Sequence, residues 1–299
     1  MSEPVVSLLM AAWNPTPDWL RVAVETALDE RAVDVELVVV DDGSEPPVEE
    51  LLAGAGDPRL RVVRVPHGGE SAARNAGIRA ARGRFLRFVD ADDATVRGST
   101  ARLLALAGTD RAIGYGATAI CDAELRPAWT MTSRLQGRVE RECLLGRFTV
   151  RVPSLLFPRE VVAAAGDWRS GFRVSHDWDF VLRTLEHAPV RGHTAPATLY
   201  RKHGASATSD LDAGLAGGRL VVDGYFERHP EQRGTSLERR AYARLDAHAA
   251  RVLLTRGALR PGLAAAWTVL RRDPSALRVE LAQSLPAVAG RLRRLSRRA

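Results

Sequence analysis

Residues 83–93 read Gly-Arg-Phe-Leu-Arg-Phe-Val-Asp-Ala-Asp-Asp, which sets three carboxylates side by side. Phe85, Leu86, Phe88 and Val89 are bulky, β-favouring residues, so Asp90, Asp92 and Asp93 arrive where a short strand ends. Like charges this close raise one another's pKa unless a cation stands between them, and a hard divalent ion with oxygen ligands meets that need. An Asp-x-Asp on a loop suits a cation that must also hold a diphosphate, because its carboxylates fill part of the shell and leave the rest to phosphate oxygens. The plainer alternative is an Asp-rich strand-to-helix turn, with Asp93 or Thr95 capping the next helix.

Other polar clusters carry comparable chemistry. Asp41-Asp42-Gly43-Ser44 follows the apolar run 35–40, and a carboxylate there can accept the imino N–H of a uracil or thymine ring; the alternative is a Gly turn. In Gly68-Gly69-Glu70-Ser71-Ala72-Ala73-Arg74-Asn75-Ala76-Gly77, a helix starts after a Gly turn, and Ser71, Arg74 and Asn75 share a face. Arg74 is thereby placed to meet a nucleotide or its phosphates. Neither G-x-G-x-x-G nor a Walker sequence is present, so dehydrogenase and P-loop readings lose their main support. His176-Asp177-Trp178-Asp179 opens a helix behind Ser175 as N-cap, where acids complement the dipole. Trp178, Val181, Leu182 and Leu185 form its apolar face, which leaves His176 and Asp177 off that face. Tyr200-Arg201-Lys202-His203-Gly204-Ala205-Ser206 reads as a loop whose cations, imidazole and hydroxyl suit a diphosphate.

The elements that must position these groups alternate. Strands are expected over 5–13, 35–40 and 60–65 and before Asp90, with helices ending near Leu28 and over 70–82. Alternation implies right-handed βαβ crossovers and a mostly parallel sheet, with ligands bound outside the strands' carboxyl ends. The clusters around Asn14, Asp42 and Asp90 all fall at such ends. Beyond Thr95, a helix over 99–106, strands near 113–120 and 152–157 and a short helix over 158–165 extend the fold, while 123–146 reads as an excursion. From Gly217 the chain turns to Arg, Ala and Leu in helical periods, broken at Pro261-Gly262, Pro274 and Pro286.

Taken together, Val6-Ser7 to Asn14, Val40-Asp41-Asp42-Gly43-Ser44, Ala73-Arg74-Asn75-Ala76-Gly77, Phe88 to Asp93, His176-Asp177-Trp178-Asp179-Phe180 and Tyr200-Arg201-x-His203 resemble family 2 glycosyltransferases. The resemblance runs from Val5 to Ser206. It implies the GT-A fold, an α/β architecture with flanking helices, and an inverting transfer from a nucleotide-sugar, UDP- or dTDP-type, that uses Mg2+ or Mn2+. By the same resemblance Ala11, Trp13 and Asn14 line the base and ribose pocket, and Asp42 contacts the base. Asp90, Ala91 and Asp92 form the Asp-x-Asp motif around ribose, metal and diphosphate; Asp177 is the general base, and His203 reaches the metal or the diphosphate. His176 stands where many relatives have Glu, and Ala11 replaces a common hydroxyl residue. The implied division is a catalytic domain over 1–215 and a helical region over 216–299. A sugar nucleotidyltransferase and an inactive sugar-nucleotide-binding protein are the alternatives.

Composition narrows the setting. Two cysteines, Cys121 and Cys143, lack metal-site spacing, and no secretory signal opens the chain, so a reducing, cytoplasmic location is expected. Lys202 is the sole lysine, too remote to complete a receiver-type phosphorylation site around Asp41 and Asp42. The formal charge is +7, and residues 271–299 hold eight arginines against Asp273 and Glu280. That tail has no aromatic residue for base stacking, so nucleic acid is not expected as a partner. Leu281, Leu285, Val288, Leu292 and Leu295 give it an apolar stripe among Arg291, Arg293, Arg294, Arg297 and Arg298, suited to an anionic membrane inner face or to packing on the catalytic domain. The acceptor is a saccharide, a lipid-linked group or a small molecule.

Overall fold

The computed structural model describes residues 4–108, 111–203 and 211–277; the stripe and arginines expected of the tail after Pro286 lie outside the described residues. Among the described residues nine strands form the sheet: β1 (Val6–Ala12), β2 (Val35–Asp41), β3 (Leu60–Arg64), β4 (Phe85–Asp90), β5 (Ala94–Thr95), β6 (Ile113–Cys121), β7 (Pro127–Met131), β8 (Leu155–Pro158) and β9 (Val190–Arg201). Their order is β3-β2-β1-β4-β8-β6-β9-β5, with β7 paired to β6. The first four are parallel, and helices Pro17–Leu28 and Glu70–Ala80 provide crossovers, as the alternation requires. β4 then meets β8 antiparallel, and the far half of the sheet is mixed, with β6 parallel to β9 and antiparallel to β7 and β8. This is an α/β GT-A-type fold with C-terminal helices.

Two compact units make up the chain. Met1–Glu140, Thr149–Ser170 and Phe180–Gly204 form the first, and Arg141–Phe148, Gly171–Asp179 and Ala205–Ala299 the second. In the first, β1 and β2 are buried almost throughout, because a central parallel strand is covered on both faces. Helix Pro17–Leu28 lays Leu20, Ala23, Val24 and Ala27 into the core beside them. The second is helical, with Leu211–Arg228, Ser236–Thr255 and Leu259–Arg272 as its longest elements. No helix among the described residues is long and apolar enough to cross a membrane.

Three expectations need correction. The excursion 123–146 contains β7, which extends β6, and the helix Glu140–Leu144. The stretch from Tyr200 begins inside the twelve-residue β9, whose Gly192 and Pro196 obscure it as a strand; Pro196 sits where the register with β6 shifts, a bulge that tolerates a residue without an N–H. Pro261-Gly262 breaks nothing, since Pro261 falls in the first turn of Leu259–Arg272, where a missing N–H loses no intrahelical bond.

One side chain joins several of these pieces. Arg87, in mid-β4, is fully buried, and burial pushes its guanidinium down to about 9 against the pull of Glu30. Its Nε donates to the Pro153 carbonyl (3.0 Å), Nη1 to Ser99 Oγ and Thr100 Oγ1 (2.8 Å each), and Nη2 to the Ala197 carbonyl (2.8 Å) and Thr198 Oγ1 (3.4 Å). Thus β4, the turn Val152–Ser154, the helix Ser99–Ala107 and β9 share one donor fork. Arg87→Met keeps the length but removes every donor, and urea unfolding should show a loss on the order of 3 kcal/mol or more. A loss near the ~0.5 kcal/mol of an ordinary surface change would refute this role.

Candidate active site

Register aligns the strand ends. Ala11 pairs with Val40 on one side and Asp90 on the other, and Ala12 pairs with Asp41, so the residues that follow leave the sheet at one rim. The sequence-predicted residues Trp13, Asn14, Asp42, Asp90 and Asp92 are therefore gathered by β1, β2 and β4. Asn14, at φ +44, donates its N–H to Ser44 Oγ (3.0 Å) and accepts the Glu45 N–H on Oδ1 (2.8 Å), which ties the loop after β1 to the loop after β2.

The two aspartates that close β2 divide their work. Burial raises the pKa of Asp41, but N–H groups of Ser44 and Val48 and the guanidinium of Arg64, 2.6 Å away, overcome that and hold it below the usual value. Asp42 accepts the N–H of Gly68 on Oδ1 (2.8 Å) and that of Gly69 on Oδ2 (2.9 Å), and His67 Nδ1 is also 2.9 Å from Oδ2. It thus pins the Gly turn that launches helix Glu70–Ala80. Trp13 is 57% exposed and stacks on His67 at 4.7 Å between ring centroids, a pairing with no spacing signal to announce it.

Arg74, expected at a phosphate, is buried. Its Nη2 lies 2.6 Å from Glu70 Oε1 and 3.2 Å from Asp90 Oδ1, and its guanidinium covers the Trp168 ring at 4.3 Å. Its contact with the rim is therefore through Asp90. Asn75 fixes the same tryptophan by exchanging two hydrogen bonds with the Trp168 backbone (2.8 and 2.9 Å). Ala91 packs against the core at the tip of the turn.

The three clustered carboxylates separate by environment. Asp92 is partly exposed, and its Oδ2 lies 2.9 Å from His203 Nε2. His203 in turn packs on Trp19 at 4.9 Å. Asp93 caps no helix: it is buried, and burial together with the charges of Asp90 and Asp92 pushes its carboxyl up to about 9. Its Oδ1 accepts the Arg201 N–H (2.8 Å), while Gly98, in a left-handed conformation, precedes the helix Ser99–Ala107. Arg201, read from sequence as part of a loop suited to a diphosphate, is buried in β9; it donates Nε to the Asp92 carbonyl (2.7 Å) and Nη1 to the Ala123 carbonyl, and lies over the Trp19 ring at 4.9 Å. Trp19 and Arg201 thus shape the turn, and nothing in spacing distinguishes Trp19 from other apolar positions of its helix.

Carboxylate and imidazole at Asp92 and His203 form a donor set that fits a divalent cation only in part. No group of three or more His, Cys, Asp or Glu among the described residues could hold a metal ion. Such a pair suits a cation whose remaining ligands come with a phosphorylated substrate rather than from the protein.

Asp177 belongs to the second unit. Ser175, at φ +75, accepts the Asp179 N–H on its carbonyl (3.0 Å), which starts the helix His176–Leu185, and His176 Nε2 stands 3.4 Å from Asp177 Oδ1. Trp178 Nε1 donates to the Cys143 carbonyl (3.2 Å), and the Arg244 guanidinium lies over that indole at 4.6 Å. Gly217 brings helix Leu211–Arg228 against the same turn: a Cβ there would fall 2.4 Å from the Val174 carbonyl oxygen. Gly217→Ala should therefore destabilise by about 1–3 kcal/mol. Gly214→Ala, on the same helix with nothing within 4 Å, should instead gain up to about 1 kcal/mol from helix propensity. Chemical denaturation of both variants checks the pair, and equal effects would remove the close approach as the reason for Gly217.

The sequence profile described as Glycosyl transferase family 2 matches residues 7–161, more than half of the chain. Among curated proteins, the chain is 45% identical over 95 residues to the succinoglycan biosynthesis protein ExoO of Rhizobium meliloti (strain 1021), covering 31% of this chain and 27% of that protein. It is 26% identical over 249 residues to the O-antigen biosynthesis protein RfbC of Myxococcus xanthus, covering 79% of this chain and 19% of that one. The chain thus matches about a quarter or less of the length of these curated relatives. The crystal structure of S. aureus TarS 1-349 superposes with a TM-score of 0.59 at 14% identity, over 92% of this chain and 82% of that one. The same protein in complex with UDP-GlcNAc gives 0.58 at 13% identity, over 94% and 91%. This likeness is one of fold; the profile match, with motifs placed at the strand ends, makes the chain a member of glycosyl transferase family 2.

Proposed function

We propose that the protein transfers a sugar from a UDP- or dTDP-type nucleotide-sugar to an acceptor hydroxyl with inversion, and that residues 1–215 carry this chemistry. The observation that carries the reading is the Asp92–His203 pair, 2.9 Å apart, on the rim where Asp42 follows β2 and Asp90 ends β4, the two parallel strands that flank β1. The complex of a similarly folded protein with UDP-GlcNAc supports a nucleotide-sugar as the donor.

Each residue has a task in this scheme. Trp13, Ala11 and Asn14 border the base and ribose. Asp42, whose carboxylate accepts the Gly68 and Gly69 N–H groups, keeps acceptor capacity for the imino N–H of the base. Arg74 orients Asp90 for the ribose and diphosphate. Asp92 and His203 would hold Mg2+ or Mn2+, which when bound supplies positive charge for the diphosphate that leaves. Asp177 takes the proton of the acceptor hydroxyl as its oxygen bonds to the anomeric carbon. The bond from that carbon to the diphosphate oxygen breaks on the opposite face, and the electron pair leaves with the nucleoside diphosphate. One base and an opposed leaving group invert the centre, with no nucleophilic carboxylate of the retaining kind.

Two substitutions test the assignment. Asp92→Asn is nearly isosteric and should lower transfer by about 10²-fold or more; full activity of this variant in excess chelator would sink the metal role. Asp177→Asn should lower kcat by about 10²–10⁴-fold while donor affinity, read by calorimetry, stays within a few-fold. Collapse of donor binding along with turnover would move Asp177 to the donor site.

A further inference from the structure

The helix Leu259–Arg272 presents Leu259, Leu263, Trp267 and Leu270 to solvent, the first three 62% and the last 50% exposed. Their spacing of four, four and three residues keeps them on one face over about 16 Å. The opposite side is already satisfied: Gly262 and Val269 are buried, a Cβ on Gly262 would come 2.8 Å from Leu254, and Val269 packs with Ala243, Ala247 and Ala276. Ion pairs of Arg272 with Asp246 (2.5 Å) and Arg240 with Asp273 (3.2 Å) hold the helix end on Ser236–Thr255. A helix docked on one side normally shows charge on the other, and large apolar stripes on a surface mark an interaction.

Charge identifies the occupant. From Ala247 to Arg271 the chain has no Asp or Glu but has Arg251, Arg256, Arg260 and Arg271, the last three of them exposed, while the exposed Arg272 that follows pairs with Asp246. A second copy of this face would bring like charge to like charge, and so would the arginine-rich residues 278–299 of the same chain. An anionic lipid surface accepts both features, because arginines meet headgroups while leucines and an indole enter the acyl boundary. We propose that Leu259–Arg272 lies in the plane of an anionic bilayer, inserting Leu259, Leu263, Trp267 and Leu270. This surface is independent of the transfer chemistry and of the tail stripe read from sequence.

The test uses the full chain and vesicles of phosphatidylcholine alone or mixed equally with phosphatidylglycerol. The unaltered protein should sediment with the mixed vesicles at low ionic strength and lose most of that binding in high salt or on phosphatidylcholine alone. L263S/W267S should bind the mixed vesicles at least about tenfold more weakly, with thermal midpoint and oligomeric state unchanged. R260E/R271E, which leaves the stripe intact, should weaken binding by a similar factor. Equal binding by the unaltered protein and L263S/W267S, or none by either, overturns the proposal. So does a self-association that L263S/W267S abolishes without changing vesicle binding, which assigns the face to a second copy. A midpoint lowered by several degrees in L263S/W267S also overturns it, since the face is then covered by the chain's own residues.

Discussion

Arg87 carries its charge into the interior with no carboxylate hydrogen-bonded to it among the described residues, and the fold around it is the answer to that charge. Its five N–H groups meet carbonyls and hydroxyls from three separate parts of the chain. A buried cation is tolerated only when such dipoles replace its water, so none of these segments can drift without exposing an uncompensated charge. The joint it fixes is where parallel pairing stops: β4 leads to β8 antiparallel, and β9 runs beside β6. Asp90, at the end of the same strand, takes its position from that joint.

The rim shows a second economy, in which polar side chains serve the fold before they serve a ligand. Asp42 holds the turn that begins helix Glu70–Ala80, Asn14 and Ser44 tie two loops together, and Arg74 is spent on Asp90, Glu70 and Trp168. Asp93 is the extreme case, since it stands beside Asp92 in sequence yet is buried, with its carboxyl pushed up to about 9, and accepts the Arg201 N–H of β9. A divalent cation is thus not the only remedy for clustered carboxylates. Burying one of them, which raises its pKa, is another.

Much of this could be read from the chain, and the reasons for the remainder are physical. Contiguous apolar runs before Asn14, Asp42 and Asp90 are what central parallel strands look like, so the first half of the sheet and the shared rim at its strand ends were legible. The twelve residues of β9 were not, because Gly192 and Pro196 sit at a bulge whose tolerance depends on β6. Nothing in the run Phe-Leu-Arg-Phe-Val marks Arg87 as buried, because only the three segments that converge on it make its burial tolerable. The same holds for Gly217, an ordinary weak spot in a helix until the Val174 carbonyl is placed against it. Asp92 and Asp93 are identical neighbours that differ because Asp93 is buried and Asp92 is not, and Arg201, which bonds to the backbone and side chain of that turn, lies more than a hundred positions away.

That separation also has a temporal side. Asp92 and His203 are 111 positions apart, and Arg201, which grips the Asp92 and Asp93 backbone turn, arrives just before the histidine. On the ribosome the parallel strands β1 to β4 emerge first, and the acidic turn spends the synthesis of the next hundred residues without its imidazole or its arginine. The pair can therefore form only once residue 203 has been made, and nascent chains released before it carry the strand-end rim without the partner of Asp92.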